Sequence, residues 1–126
     1  MSDRNAELIH RDLDVLWHPT TQMKDHHDGL PLLPVAEGQG AWLRDRDGKW
    51  YLDAISSWWV NLFGHRNPRI NKAIQAQLGQ LEHVILAGCS HEPAVELAER
   101  LTARSPQGLE RVFYTDNGAS SIEVAL

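Results

Sequence analysis

Long hydrophobic runs, paired cysteines and blocks of like charge are all missing from this 126-residue chain. No stretch approaches the roughly 20 apolar residues of a membrane-crossing helix, so no such span is expected. The N-terminal heptad, Met1-Ser2-Asp3-Arg4-Asn5-Ala6-Glu7, lacks the apolar centre of a secretory leader. The single cysteine, Cys89, cannot close an internal disulfide, which agrees with a reducing compartment. Together these features predict a cytoplasmic protein. The basic residues are scattered singly and the net charge is −5, with a pI near 5.7, so a nucleic-acid backbone is not an expected partner. Low-complexity tracts are missing too, which removes the disordered and collagen-like classes.

What is present is 42% apolar and 23% charged, the balance of a soluble globular chain long enough to bury a core. Leu8, Ile9, Leu13, Leu16 and Trp17 fall near helical spacing, predicting a helix over 5–17 that stops at Trp17-His18-Pro19. The stretch from Thr20 to Pro34 holds His26-His27-Asp28-Gly29 and two prolines and reads as irregular. Short strands follow between Leu33 and Asp53. There Ala41-Trp42-Leu43 and Trp50-Tyr51-Leu52 flank an Asp47-Gly48 turn, giving a small antiparallel sheet. Asn67-Pro68 reads as an N-cap with proline at the first helical position, opening a helix that faces Ile70, Ile74, Leu78 and Leu81 one way. A second helix begins after Ser90-His91-Glu92-Pro93 and ends at Ser105-Pro106-Gln107-Gly108. Residues 111–115 read as a strand, Asp116-Asn117-Gly118 as a turn, and Ala119 onward as a helix with a Ser120/Glu123 capping box. The sequence then stops in mid-helix without a C-cap signal, predicting a longer protein.

Two segments carry chemistry. A strand, a glycine turn and a helix start suit a phosphate, because free N–H groups and the helix dipole point at an anion there. Gly118 lets the backbone come close and suits a positive φ, while Ser120 and Ser121 offer hydroxyls. The same elements also make an ordinary helix cap that needs no ligand, so both readings stand. Ser56-Ser57-Trp58-Trp59 is the other segment. In an extended chain the two rings would face opposite ways, one into a core and one onto a pocket, or both would fill a domain junction.

Metal and thiol chemistry find little support. His18, His26 and His27 lack the spacing of a zinc motif, and Asp25-His26-His27-Asp28 reads as a solvated loop, so no metal is expected. Cys89 has no nucleophile elbow around it.

In order along the chain, Leu16-Trp17-His18-Pro19, Asp53-Ala54-Ile55-Ser56-Ser57-Trp58-Trp59, Gly64-His65-Arg66-Asn67-Pro68, His91-Glu92-Pro93-Ala94 and Phe113-Tyr114-Thr115-Asp116-Asn117-Gly118 closely resemble the adenosylmethionine-8-amino-7-oxononanoate aminotransferases. These are class III, fold type I enzymes dependent on pyridoxal 5'-phosphate (PLP). The resemblance implies an α/β fold type I transferase. Of it the chain would hold an N-terminal segment with the small sheet over 1–66, and over 67–126 helices and the first strand–turn–helix of the large domain. It implies a homodimer acting on small molecules, with S-adenosylmethionine as amino donor, in biotin synthesis.

By the same resemblance Trp58 contacts substrate, and Gly118 and Ala119 bind the PLP phosphate through their backbone, Ala119 standing where serine is often found. Thr20 stands where many members carry a substrate-recognising tyrosine, keeping the hydroxyl without the ring. The lysine that holds the cofactor falls beyond Leu126. Lys24, Lys49 and Lys72 all sit in polar contexts and match no catalytic residue. A different class III transaminase and a small non-catalytic binding domain remain the rival readings.

Overall fold

The computed structural model describes residues 3–28 and 31–126. Met1 and Ser2 of the N-terminal heptad, and Gly29 of the histidine tetrad, lie outside the described residues. The chain divides into two compact units, one up to Gln77 and one over Leu78–Leu126.

In the first unit, helix α1 (Asp3–Val15) forms where the apolar spacing predicts it, ending slightly before Trp17. The stretch from Thr20 to Pro34 departs from the expected irregular path, because Met23–Asp28 forms a short helix, α2. No glycine or proline falls inside those six residues, and Asp25 in the first turn suits the positive end of the helix. Thus Asp25-His26-His27-Asp28 is helical rather than a loop. The His18 ring packs 4.7 Å from that of His26, and His18 Nε2 meets Asp12 Oδ1 of α1 at 2.5 Å.

The antiparallel sheet is present, with strands β1 (Val35–Gln39), β2 (Trp42–Asp45) and β3 (Trp50–Leu52) in that spatial order. Gly48 closes the β2–β3 turn at φ +89, the positive value that the Asp-Gly pair predicts. Asp45 organises this turn. It is 5% exposed and accepts from the N–H groups of Asp47 and Lys49 at 2.9 Å and from the Tyr51 hydroxyl at 3.0 Å. Burial alone pushes its carboxyl up, but the bonds from Lys49, Tyr51 and Asp47 outweigh that and hold it below the usual carboxylate range.

A carboxyl with a lowered folded pKa contributes stability above its unfolded value of about 3.9 and loses it as pH falls through the folded value. Asp45→Ala should therefore lower the urea midpoint at pH 7, with the gap to the parent closing as pH falls below about 4. Urea titrations of both proteins across that range check this, and a gap independent of pH contradicts it.

After the sheet comes a one-turn helix, α3 (Ser56–Trp59), and then α4 (Pro68–Leu78). Asn67 caps α4 as its sequence predicts, its Oδ1 accepting from Arg69 N–H at 3.0 Å and Ile70 N–H at 3.2 Å. Between these two helices His65 pairs with Gly40, ahead of β2, as an isolated bridge, with Gly40 N–H to His65 O at 3.0 Å and His65 N–H to Gly40 O at 2.8 Å. Gly64 lies at φ +77 so close to this bridge that an added Cβ would stand 2.9 Å from Gly40 Cα.

The second unit holds α5 (Glu92–Thr102) and α6 (Gly118–Ala125). The expected strand over 111–115 does not form. A strand exists only against a ladder partner, and the pairing among the described residues engages other segments. Tyr114 is instead tied by its hydroxyl, which donates to Ala94 O of α5 at 2.6 Å.

The expected core is also missing: among the described residues no hydrophobic side chain is buried. The predicted apolar face of α4 leaves Ile74 and Leu78 each 54% exposed, and Leu97 of α5 is 48% exposed. The helical periodicity is right, but among the described residues these faces are only partly covered.

Candidate functional site

The Ser56–Trp59 turn is left-handed. Ser56, Ser57, Trp58 and Trp59 have φ of 49, 48, 67 and 66, and the chain curls so that Trp59 N–H reaches Ile55 O at 2.8 Å and Val60 N–H reaches Ser56 O at 3.0 Å. L-residues pay roughly 1–2 kcal/mol each in this conformation, and none of the four is glycine. Something outside the turn must hold it, and Asp53 does. Its Oδ1 accepts from Ser57 N–H at 2.9 Å, and its Oδ2 accepts from the Ser57 hydroxyl at 2.7 Å and meets His65 Nε2 at 2.8 Å. The Ser57 N–H and hydroxyl and the His65 ring hold the Asp53 carboxyl below the usual carboxylate range.

Because the segment is coiled, the premise of an extended chain fails, and the two tryptophans do not point to opposite faces. Their ring centroids lie 6.4 Å apart at a 40° tilt, with Trp58 68% and Trp59 75% exposed. Among the described residues neither ring fills a core. Each is free to present an apolar face to a ligand.

Asp53 and His65 both fall in motifs that carry the resemblance, but the sequence assigns neither of them a role. Asp53 left a local signal, since an aspartate just ahead of serines is a common way to bind the following N–H groups. His65 left none, lying 12 residues away in sequence.

Thr20 is exposed in the loop between α1 and α2, at φ 58. It lines a shallow cleft of ≈450 Å³ with Trp17, His18, Pro19, Thr21 and Gln22. Its hydroxyl is engaged with Pro19 O at 2.7 Å.

In the second unit Gly118 opens α6. The cap differs from the expected Ser120/Glu123 box: Asn117 is the N-cap, with φ −157 and ψ 170, and its side-chain oxygen accepts from Ser120 N–H at 2.9 Å. Asparagine one residue ahead of the glycine takes the N-cap in place of serine inside the first turn, because a side chain at the N-cap is placed to accept from the N–H groups of the turn that follows. Gly118 does not adopt a left-handed φ, so positive φ is not why glycine is needed there. A Cβ at Gly118 would meet no atom of the described residues within 4 Å.

The N–H groups of Gly118 and Ala119 have no partner among the described residues, since Asn117 takes up those of Ser120 and Ser121. Ser121 Oγ is occupied, donating to Asn117 O at 3.0 Å and meeting Thr115 Oγ1. The helix start thus offers two aligned, unpaired donors at its positive end, with open space in front of the glycine.

Lys24, Lys49 and Lys72 are all exposed, Lys49 lying 4.9 Å from the Tyr51 ring centroid. Lys24 lies in α2 rather than in a loop. Among the described residues no group of three metal-ligating side chains gathers.

The family model for aminotransferase class-III matches residues 23–126. The adenosylmethionine-8-amino-7-oxononanoate aminotransferase of Synechococcus elongatus is 52% identical over 111 residues, covering 88% of this chain and 26% of that protein. Its counterpart from Helicobacter pylori is 45% identical over 115 residues, covering 91% and 26%. The crystal structure of the Methanocaldococcus jannaschii enzyme of the same name superposes with a TM-score of 0.88 at 41% identity, over 98% of this chain and 28% of that one. An omega transaminase from Pseudomonas jessenii, in complex with PMP, gives a TM-score of 0.83 at 30% identity, over 94% and 26%. The chain therefore spans about a quarter of the length of the relatives it matches. Its architecture is part of the PLP-dependent fold type I, and with most of its length matched, the chain belongs to the class-III aminotransferases.

Proposed function

We propose that this chain supplies the cofactor-phosphate cradle and a substrate-facing tryptophan to an aminotransferase that converts 8-amino-7-oxononanoate to 7,8-diaminononanoate in biotin synthesis. S-adenosylmethionine is the amino donor in this reading, and the protein works as a cytoplasmic homodimer. The observation that carries the reading is the start of α6, with its unpaired Gly118 and Ala119 N–H groups.

That helix start fits the PLP phosphate on three counts. Two N–H donors are free, the dipole is positive there, and no Cβ blocks close approach at residue 118. Asn117 fixes the first turn so that these donors are aligned before a ligand arrives. Ala119 has no hydroxyl to offer and binds through its N–H alone. Held there, PLP would supply the electron sink and the site for amino-group exchange that transamination needs. Trp58 covers the aliphatic chain of 8-amino-7-oxononanoate and sheds water from it. Thr20, whose hydroxyl proton goes to Pro19 O, adds only an acceptor oxygen at the substrate side.

Identity of 41–52% to proteins named for 8-amino-7-oxononanoate, against 30% to the omega transaminase, supports this acceptor over others. The test is to incubate the full-length protein and PLP with 8-amino-7-oxononanoate and either S-adenosylmethionine or lysine, following 7,8-diaminononanoate by mass spectrometry. Product with S-adenosylmethionine is expected. Product with lysine alone reassigns the donor, and no product with either overturns the reading.

A further inference from the structure

The left-handed turn at Ser56–Trp59 invites a question that the reaction itself does not answer: why four consecutive L-residues hold a conformation suited to glycine. Strain of this kind persists only where its surroundings over-determine it. Here those surroundings are specific. The Asp53 carboxylate, whose side chain is 6% exposed, bonds both the N–H and the hydroxyl of Ser57 inside the turn. His65, 16% exposed, meets the same carboxylate from the far side. The His65 ring is itself set in place by backbone, since residues 40 and 65 form a two-bond bridge. An added Cβ at Gly38 would stand only 2.7 Å from the ring.

We propose that Asp53 and His65 form a latch whose task is to hold the 56–59 turn left-handed, so that Trp58 and Trp59 are presented at a fixed angle for substrate. They are positioning residues, acting through the turn, and this inference rests on the substrate role given above to Trp58. The geometry favours that task over a purely structural one. The rings it fixes are exposed, at 68% and 75%, and make no core among the described residues. The latch therefore orders side chains that bury nothing there, and pre-ordering exposed rings lowers the cost of binding a ligand against them. A pre-set aromatic face acts on substrate binding more than on the chemical step, so its loss raises KM and spares kcat.

The experiment uses the full-length holoenzyme labelled with 5-fluorotryptophan, with the Trp58 and Trp59 lines of its ¹⁹F NMR spectrum assigned through Trp58→Phe and Trp59→Phe. In Asp53→Ala, KM for 8-amino-7-oxononanoate should rise about tenfold, the loss of one good contact, with kcat within about twofold. Both assigned lines should shift or broaden. Adding Ser57→Gly, which makes the positive φ cheap without the latch, should restore both KM and the lines. Asp53→Asn keeps an acceptor for Ser57 N–H and should show smaller changes in the same direction, which covers the case that Asp53→Ala does not fold.

Unchanged lines and KM in both Asp53 variants would overturn the proposal, as would a fall in kcat with KM unmoved. So would failure of Ser57→Gly to restore the Asp53→Ala lines. If the parent does not aminate 8-amino-7-oxononanoate, the function proposed above fails, while the NMR lines still decide the latch.

Discussion

Gly118→Val in the full-length protein should weaken PLP binding by at least tenfold, and by about a hundredfold if both helix-start donors are displaced. The estimate rests on hydrogen bonds to a charged group being worth roughly 1.5–3 kcal/mol each. The reason is local. A Cβ at Gly118 meets no atom of the described residues within 4 Å, so this segment leaves room for the side chain, while an anion drawn against the N–H groups of Gly118 and Ala119 does not. The φ of Gly118 is not left-handed, so no backbone penalty confuses the result. Equilibrium dialysis of PLP beside circular dichroism separates the outcomes. Weaker binding with parental secondary structure supports the cradle, and parental binding removes it. Ala119→Ser should stay within a few fold of the parent, since it keeps the main-chain donor.

Trp58→Ala should lower kcat/KM for 8-amino-7-oxononanoate by roughly 10- to 100-fold, the value of covering an aromatic-sized apolar contact. Its effect on stability should stay within about 1 kcal/mol, as for an exposed position, whereas a core ring would cost about 3–5 kcal/mol. Among the described residues Trp58 is 68% exposed, as the smaller figure requires. Melting temperature and steady-state kinetics, measured on the same preparation, check the prediction. A large loss of stability with unchanged kinetics would return the ring to a packing role.

Features set by neighbours in sequence were legible before the structure. Asp47-Gly48 requires a positive φ within two residues, and Asn67-Pro68 caps a helix within three, so both read directly. Features set by distant partners were not. The segment 111–115 has strand composition, yet a strand is a property of a pair, and no ladder partner lies beside it among the described residues. The apolar faces of α4 and α5 show their periodicity, but periodicity does not say what lies opposite, and among the described residues no hydrophobic side chain is buried.

The coiling of Ser56–Trp59 runs against the intrinsic preference of all four residues, and it depends on Asp53 together with a histidine 12 positions further on. Propensity alone predicts the opposite geometry there, so the mistaken extended reading of the tryptophan pair fell at the candidate site. Local rules break where a site needs them broken. The Asn117 cap was missed for a smaller reason: two helix-start signals lay within four residues, and the one nearer the glycine prevailed.

The proposed role in an enzyme built around 8-amino-7-oxononanoate is open to a direct test. The most direct measurement is kcat/KM of the full-length, PLP-loaded protein for amination of that ketone, set against its kcat/KM for ornithine and 4-aminobutyrate as amino substrates. 8-Amino-7-oxononanoate should lead by at least a hundredfold, about 2.7 kcal/mol of transition-state preference. Equal values, or a lead for ornithine or 4-aminobutyrate, would contradict it.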